Sequence, residues 1–396
     1  MRFSSRGGNY NPPPSPQRGS ILITSMGVVI VLTILGAGSM RRSMTEHGVS
    51  RRSTAQQGAF FLAEAALDRA ALNLRTPDEA SDDVTMGSLP TGSYTIDTPQ
   101  LTGTLQYTVT THGTSRGESR HVEALFGLTP QSVFQFALFG DASVNVSGDA
   151  QTDSYDSSQG PYEDDPASPD YNKSQNGDIG TNATGSGGVS VGGSIFIEGQ
   201  VAVGPSVDDP TSVVTGYDPA FITGDPKVVS QPSAFPLPPV TVPGGLTCTD
   251  YTVQGNTTTT LEPGTYCYDD LTIQGNATLT ASGDVTIYVT GQLTAQGNSV
   301  VGASSDPSRM LFLMSASAEA TLEQTIQGNN TFYGGIYGPE ATFTIQGNAE
   351  IFGSVIARQV NVTGNAEIHY DESLQSITEL SNTYQPSLLS WREVPQ

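Results

Sequence analysis

The chain has 396 residues, of which 14% are charged, and its 16 Lys and Arg face 39 Asp and Glu for a net charge of −23. The imbalance is local: residues 1–127 carry a net charge of +1 and residues 128–396 one of −24. So acidic a surface repels a phosphate backbone and argues against a nucleic-acid partner, while four His, two Cys and one Trp leave little material for a metal cage or a nucleophilic triad.

Residues 1–19 are polar and Pro-rich, with Arg2, Arg6 and Arg18 as their charges. From Ser20 to Met40 there are 21 uncharged residues, which as a helix extend about 30 Å, the thickness of one bilayer core. A secretory signal would be shorter and would end at a small-x-small cleavage site. Here the chain runs on without Pro to Pro77, and Phe60, Phe61, Ala63, Ala66, Leu67, Ala70, Ala71 and Leu74 recur at helical spacing. That pattern predicts one helix over residues 20–76, spanning a membrane over 20–40 and amphipathic beyond it.

The leader ending Gln17-Arg18-Gly19, followed by Ser20 and an apolar helix, resembles a type IV prepilin. The segment Ala55–Leu67 (AQQGAFFLAEAAL) is similar to the corresponding stretch of PilX-type minor pilins. The resemblance covers residues 17–75. It implies cleavage between Gly19 and Ser20 by a membrane-embedded prepilin peptidase on the cytoplasmic face. Ser20 stands where the family has an aromatic or Met, and Thr24 where it has Glu. The missing glutamate is a feature of some tip-located minor pilins and points to an initiating or capping role. Three Arg precede the span and Arg41, Arg42, Arg51 and Arg52 follow it. Such a distribution mildly favours the opposite topology, but long domains translocate largely regardless of nearby charge. Residues 41–396 are accordingly expected outside the cytoplasm.

Beyond Pro77, the stretches 92–97 (GSYTID), 105–113 (LQYTVTTHG) and 120–128 (RHVEALFGL) alternate apolar with polar residues. They predict half-buried strands of a small antiparallel sheet within residues 77–141. His112 and His121 read as surface-strand residues rather than ligands.

The C-terminal half is a repeat. One hexad, apolar–Thr–apolar–x–Gly–Asn, recurs at 251–256, 271–276, 293–298, 324–329, 343–348 and 360–365, broken by Gln324 at one apolar position and by Asn361 in place of one Thr, with glycines 20, 22, 31, 19 and 17 residues apart. A period near 20 is too short for a βαβ unit and suits one coil of a parallel β-helix. In such a coil Leu271 and Ile273 point inward and Thr272 outward. Related hexads at 144–149, 189–194 and 195–200 place first coils in 142–203, with an acidic, Tyr-bearing loop over 150–183. A Pro- and Asp-rich linker or surface loop is expected over 204–245, the main solenoid over 246–372 and a C-terminal cap over 373–396. This half is similar to the β-helical domains attached to PilX-type N-termini, and that likeness implies that Trp391 caps the last coil. The fold class expected is therefore α+β with an all-β half: a long N-terminal helix, a small antiparallel sheet and a right-handed parallel β-helix.

Cys248 and Cys267 are 19 residues apart, about one coil. Equivalent positions would then stack about 4.8 Å apart, a Cα spacing a disulfide accepts, and a lasting bridge requires an oxidising compartment. A two-Cys metal site is the competitor, and no His lies near either cysteine in sequence. Parallel β-helices also carry polysaccharide lyases and esterases, which need a convergent base. After residue 250 the basic residues are Arg309, Arg358 and Arg392. Glu350 and Glu367 each follow Gly-Asn-Ala on neighbouring coils and read as a solvated carboxylate pair, with cation binding as the alternative. No catalytic, cofactor-binding or metal-binding residue is assigned.

The expected function is that of a minor pilin or pseudopilin, held in the inner membrane before assembly and then part of an extracellular filament. Its partners would be the prepilin peptidase, other major and minor pilins, and a tip adhesin. The alternative is a signal-anchored extracytoplasmic β-helix that binds or processes polysaccharide.

Overall fold

The structure, a computed structural model, describes residues 20–75, 85–303, 306–315, 323–378, 380 and 384–394. Gly19 lies outside the described residues, and Ser20 is the first residue of the helix. Two compact units are present, one of Met1–Asn73, Ser81–Leu128 and Pro386–Gln396, the other of Leu74–Ala80 and Thr129–Gln385.

In the first unit, α1 (Ser20–Asn73) is a continuous helix of 54 residues, about 80 Å long at the usual rise. Gly27, Gly36, Gly38 and Gly48 do not break it, and glycine is more frequent in membrane-spanning helices than in soluble ones. Its first half exposes Ile23, Val29, Leu32 and Leu35, and the helix is long and apolar enough to cross a bilayer. From Ala55 onward one stripe is buried, through Ala59, Leu62, Ala63, Ala66 and Ala70. These recur every three or four residues, the spacing of a single helical face. The helix stops at Asn73, ahead of Pro77, whose ring does not continue a helix.

The buried stripe faces an antiparallel sheet. Its strands are β1 (Met86–Leu89), β2 (Gly92–Ile96), β3 (Gln100–Gly103), β4 (Gln106–Ser115) and β5 (Glu118–Pro130), in the order β1-β2-β4-β5 with β3 on β4. Thr111 Oγ1 donates to the Ala63 carbonyl at 2.8 Å, fixing β4 against the helix backbone. His112 meets Asp97 at 2.9 Å and the ring of His121 at 4.3 Å. The chain's last strand, Tyr384–Val394, pairs with β5. This corrects the expected role of the terminal segment. Trp391 packs on Phe60, with ring centroids 6.1 Å apart, and Arg392 reaches Glu123 at 2.7 Å. With β4 on one side only, β5 would present an edge of unpaired backbone groups, and the terminal strand pairs with it.

The second unit is built on a 20-stranded sheet whose described strand pairings are all parallel. The hexads pair in register, Gly255 with Gly275, Gly275 with Gly297, Gly297 with Gly328, Gly328 with Gly347 and Gly347 with Gly364. Their apolar positions, among them Leu271, Ile273, Leu293, Phe343 and Val362, fill one fully buried cluster.

Spatial order departs from chain order. Strand Glu350–Gly364, which carries the last hexad, pairs next with β6 (Leu138–Gly148), Gly364 opposite Gly148, and β6 then pairs with Val189–Gly193. The early hexads thus follow the late ones. Residues 129–141, grouped from the sequence with the small sheet, belong to this unit and bury Phe134 and Phe139. The expected linker over 204–245 is also part of the packing. Val214–Thr215 and Val228–Ser230 continue the parallel sheet. Phe235, Leu237 and Val240 cover a second apolar cluster around Phe139, Leu313 and Tyr337. The Tyr337 hydroxyl donates to the Pro238 carbonyl at 2.6 Å. That stretch returns the chain from the far end of the hexad row to its start.

Candidate functional site

Two surfaces of the second unit carry organised polar groups. The first is the outer face of the hexads. Because the repeats pair in register, their side chains stand in rows about 4.8 Å apart. Gln254, Gln274, Gln296, Gln327 and Gln346 bond one to the next at 2.9–3.2 Å. A second row runs from Asn256 through Asn276, Asn298, Asn329 and Asn348 to Asn365, again at 2.9–3.2 Å. Beside the glutamines, the glycines that follow them leave an open groove. The groove is uncharged. It offers amide donors and acceptors at a fixed repeat, which suits a polyhydroxyl surface or polymer and supplies no acid, base or nucleophile.

The second surface lies where the late hexads meet the early ones. β7 (Gln151–Tyr155) pairs with strand Glu367–Asp371, which pairs in turn with Glu350–Gly364. Register sets Asp153 opposite His369 and His369 opposite Phe352, with Glu350 opposite Glu367 on the next row. Residues 367 and 369 share a face by the two-residue period of a strand, while Ile368 fills the core. His369 is 1% exposed. It packs against the rings of both Tyr162 and Phe352, at centroid distances of 4.0 and 4.8 Å. Tyr162 belongs to the acidic loop expected from the sequence. That loop is folded down over the site by Asn172, whose side chain bonds Gly160 and Glu163.

Nδ1 of His369 pairs with Asp153 Oδ1 at 2.6 Å. Asp153 is 1% exposed, and its Oδ2 accepts from Tyr162 at 2.7 Å and meets Lys173 at 3.2 Å. Lys173 also reaches Glu198 at 2.6 Å. Both oxygens of the carboxylate that orients the imidazole are therefore engaged. Nε2 is different: it is buried and has no hydrogen-bond partner among the described residues. Glu367 Oε2 stands 3.7 Å from it and Glu350 Oε1 3.9 Å. Burial alone would pull the imidazole pKa down, but Asp153, Glu367 and Glu350 push it up to about 9. Interaction with His369 holds the Glu367 carboxyl below its ordinary range, whereas burial raises that of Glu350. Burial opposes the charge on Lys173, and Glu198 and Asp153 nonetheless hold its pKa above the usual value.

Cys248 and Cys267 form a disulfide with Cα atoms 4.6 Å apart. The sequence pairs Glu350 with Glu367 but does not reach His369, two residues on. The signal was present as Glu-x-His in a strand. The missing parts were the partners, since Asp153 and Tyr162 lie more than 200 residues away in the chain.

Residues 270–377 match the model of a domain of unknown function, DUF7305. No curated protein matches the chain. It is similar to a solved ice-binding protein from an Antarctic Biological Consortium, at 18% identity over 61% of this chain and 91% of that one, with a TM-score of 0.36. It is also similar to the ice-binding protein_1 DUF3494 domain of Shewanella frigidimarina, at 14% identity over 61% and 95%, TM-score 0.37. The competence-associated pilin ComZ of Thermus thermophilus matches at 14% identity over 86% and 98%, TM-score 0.27.

Proposed function

We propose that the chain is a minor pilin or pseudopilin-like component of a type IV pilus machinery, cleaved after Gly19 and incorporated at low copy through α1. The observation that carries this reading is the division of α1. Its first half presents apolar side chains that none of the described residues covers, and its second half is seated under the small sheet. A plain membrane anchor needs only the first half. A helix that must also pass from a bilayer into a filament of like helices needs both, and the prepilin-like leader at Gln17-Arg18-Gly19 stands at its start.

The second unit is read as a right-handed parallel β-helix. In-register parallel pairing at intervals of 17–31 residues supports winding, and parallel crossovers are right-handed in nearly all known cases. At the filament tip it would form a rigid surface for adhesion or for docking a tip adhesin, with the inner membrane holding the precursor before assembly. A structural rather than catalytic role fits the site chemistry. Asp153 and His369 resemble an orienting pair, but no hydroxyl or thiol among the described residues bonds Nε2.

The uncharged groove along the glutamine row favours one second reading, an anchored polysaccharide-binding protein outside any filament. The N-terminal mass of the chain, recovered from membrane and sheared-filament fractions, separates the two. A chain beginning at Ser20, and lost when the prepilin peptidase is deleted, is the expected result. A chain beginning at Met1 and missing from the filament fraction sinks the pilin reading.

A further inference from the structure

We propose that His369, Glu367 and Glu350 form a binding site for one first-row divalent transition ion of the zinc class, with Asp153 orienting the histidine. The three ligand atoms lie within 4.8 Å of one another, and the two distances from Nε2 are 3.7 and 3.9 Å. An ion with bonds of about 2.0–2.2 Å holds two of its ligand atoms about 3–4 Å apart, so it fits between these groups without moving the strands. A hydrogen bond does not. An Nε2 proton needs an acceptor within about 3.2 Å, and both carboxylates stand beyond that reach.

The buried, unpartnered Nε2 is the independent sign of a ligand. A polar atom removed from water without a partner is costly, and here it is aimed at two carboxylates rather than at apolar atoms. The far side of the ring is built as metal-binding histidines are built: a carboxylate on Nδ1 fixes the tautomer and directs the Nε2 lone pair outward. That carboxylate is itself held by Tyr162 and Lys173. Four carboxylates share the Lys173 ammonium and the His369 ring in this cluster, so a divalent cation that takes the place of the ring's Nε2 proton keeps their charge compensated. Imidazole with two carboxylates selects zinc, cobalt, nickel, iron or manganese over the calcium and magnesium that all-oxygen sites prefer. The ion would join Glu350–Gly364 to Glu367–Asp371, and through Asp153 to β7. This is the seam where sequence-distant strands meet.

The test uses the full chain in detergent, stripped with EDTA and titrated with Co²⁺ and then Zn²⁺ at high salt, which suppresses loose binding to the acidic surface. The expected result is one Co²⁺ per chain with a visible ligand-field spectrum, displaced by Zn²⁺ and not by Ca²⁺. Zn²⁺ should also slow amide exchange over 151–155 and 367–371. The double variant Glu350→Gln/Glu367→Gln, whose side chains are partly exposed and do not threaten folding, should lose the spectrum. Asp153→Asn should weaken affinity about 10- to 100-fold. Binding of Co²⁺ or Zn²⁺ to the double variant as tight as to the wild type overturns the proposal, as does displacement by Ca²⁺ or no saturable binding at all.

Discussion

Gly113 sets how closely β4 approaches α1. A Cβ at this position would lie 1.9 Å from the Ala59 carbonyl oxygen and 2.6 Å from the Ala63 nitrogen, both backbone atoms that no side-chain rotation can clear. Gly117, in the turn after β4, has φ of +86° and open space around it, so alanine there meets only the left-handed backbone penalty. Gly113→Ala is expected to cost about 2–4 kcal/mol and Gly117→Ala about 1 kcal/mol. Amide exchange over Gln106–Ser115 reads both, and equal protection in the two variants would show that β4 does not sit on the helix as described. In the glutamine row, Gln296 donates to Gln274 at 2.9 Å and accepts from Gln327 at 3.2 Å. Gln254 at the row's end takes part in one such bond. Gln296→Ala should therefore lower stability by about 1 kcal/mol, and Gln254→Ala by about half as much. Thermal unfolding of the second unit distinguishes them, and a larger loss at Gln254 would mean the row is not cooperative from end to end.

At the scale of elements, the disulfide closes a loop of 19 residues at the start of the hexad row. Chain-entropy arguments give such a loop about 3 kcal/mol. Strand Thr249–Gly255 has a parallel partner on one side, Gly264–Gly275, through its hexad. Substituting both cysteines with serine should accordingly raise amide exchange in Thr249–Gly255 while leaving Thr331–Gly347 protected. Loss of protection spread evenly along the row would contradict a local staple. These elements are also where the sequence speaks most clearly. The hexads are near-identical, so their period and inward positions can be read off directly, and α1 shows because no Pro interrupts 54 residues. Residues 204–245 were harder. Short strands such as Val214–Thr215 carry too few residues for an alternation to register, and Pro-rich composition reads as linker whether or not Phe235 and Leu237 pack. The fate of Trp391 was equally hidden, because local pattern marks a strand but does not say which edge it will take.

For the whole molecule, the order of strands matters most. Every pairing between Glu350–Gly364 and β6 joins residues more than 200 positions apart. The seam has side-chain bonds of its own. Asn361 accepts from Asn145 at 2.9 Å, Ser354 donates to the Phe136 carbonyl at 2.6 Å, and Tyr370 to the Phe134 carbonyl at 2.7 Å. Nothing local in either sequence announces this meeting, since all hexads look alike and a hexad fits any neighbour in register. What flanks them differs: Phe134 and Phe139 are buried in one cluster with Ile356 and Leu374, a contact the other hexads do not offer. Contacts of such long separation form late and slowly, because loop closure must precede the burial that offsets it. In a chain made from its N-terminus, β6 has no partner on that side until residue 364 has been synthesised. A chain ending at residue 349 should therefore leave 138–203 open to proteolysis while the hexads at 271–276 and 293–298 stay protected. Limited proteolysis with mass mapping of the fragments reads this directly. Cleavage starting instead in 264–297, with 138–203 intact, would mean that the early strands hold together without the late ones and that the seam is a contact between two preformed halves.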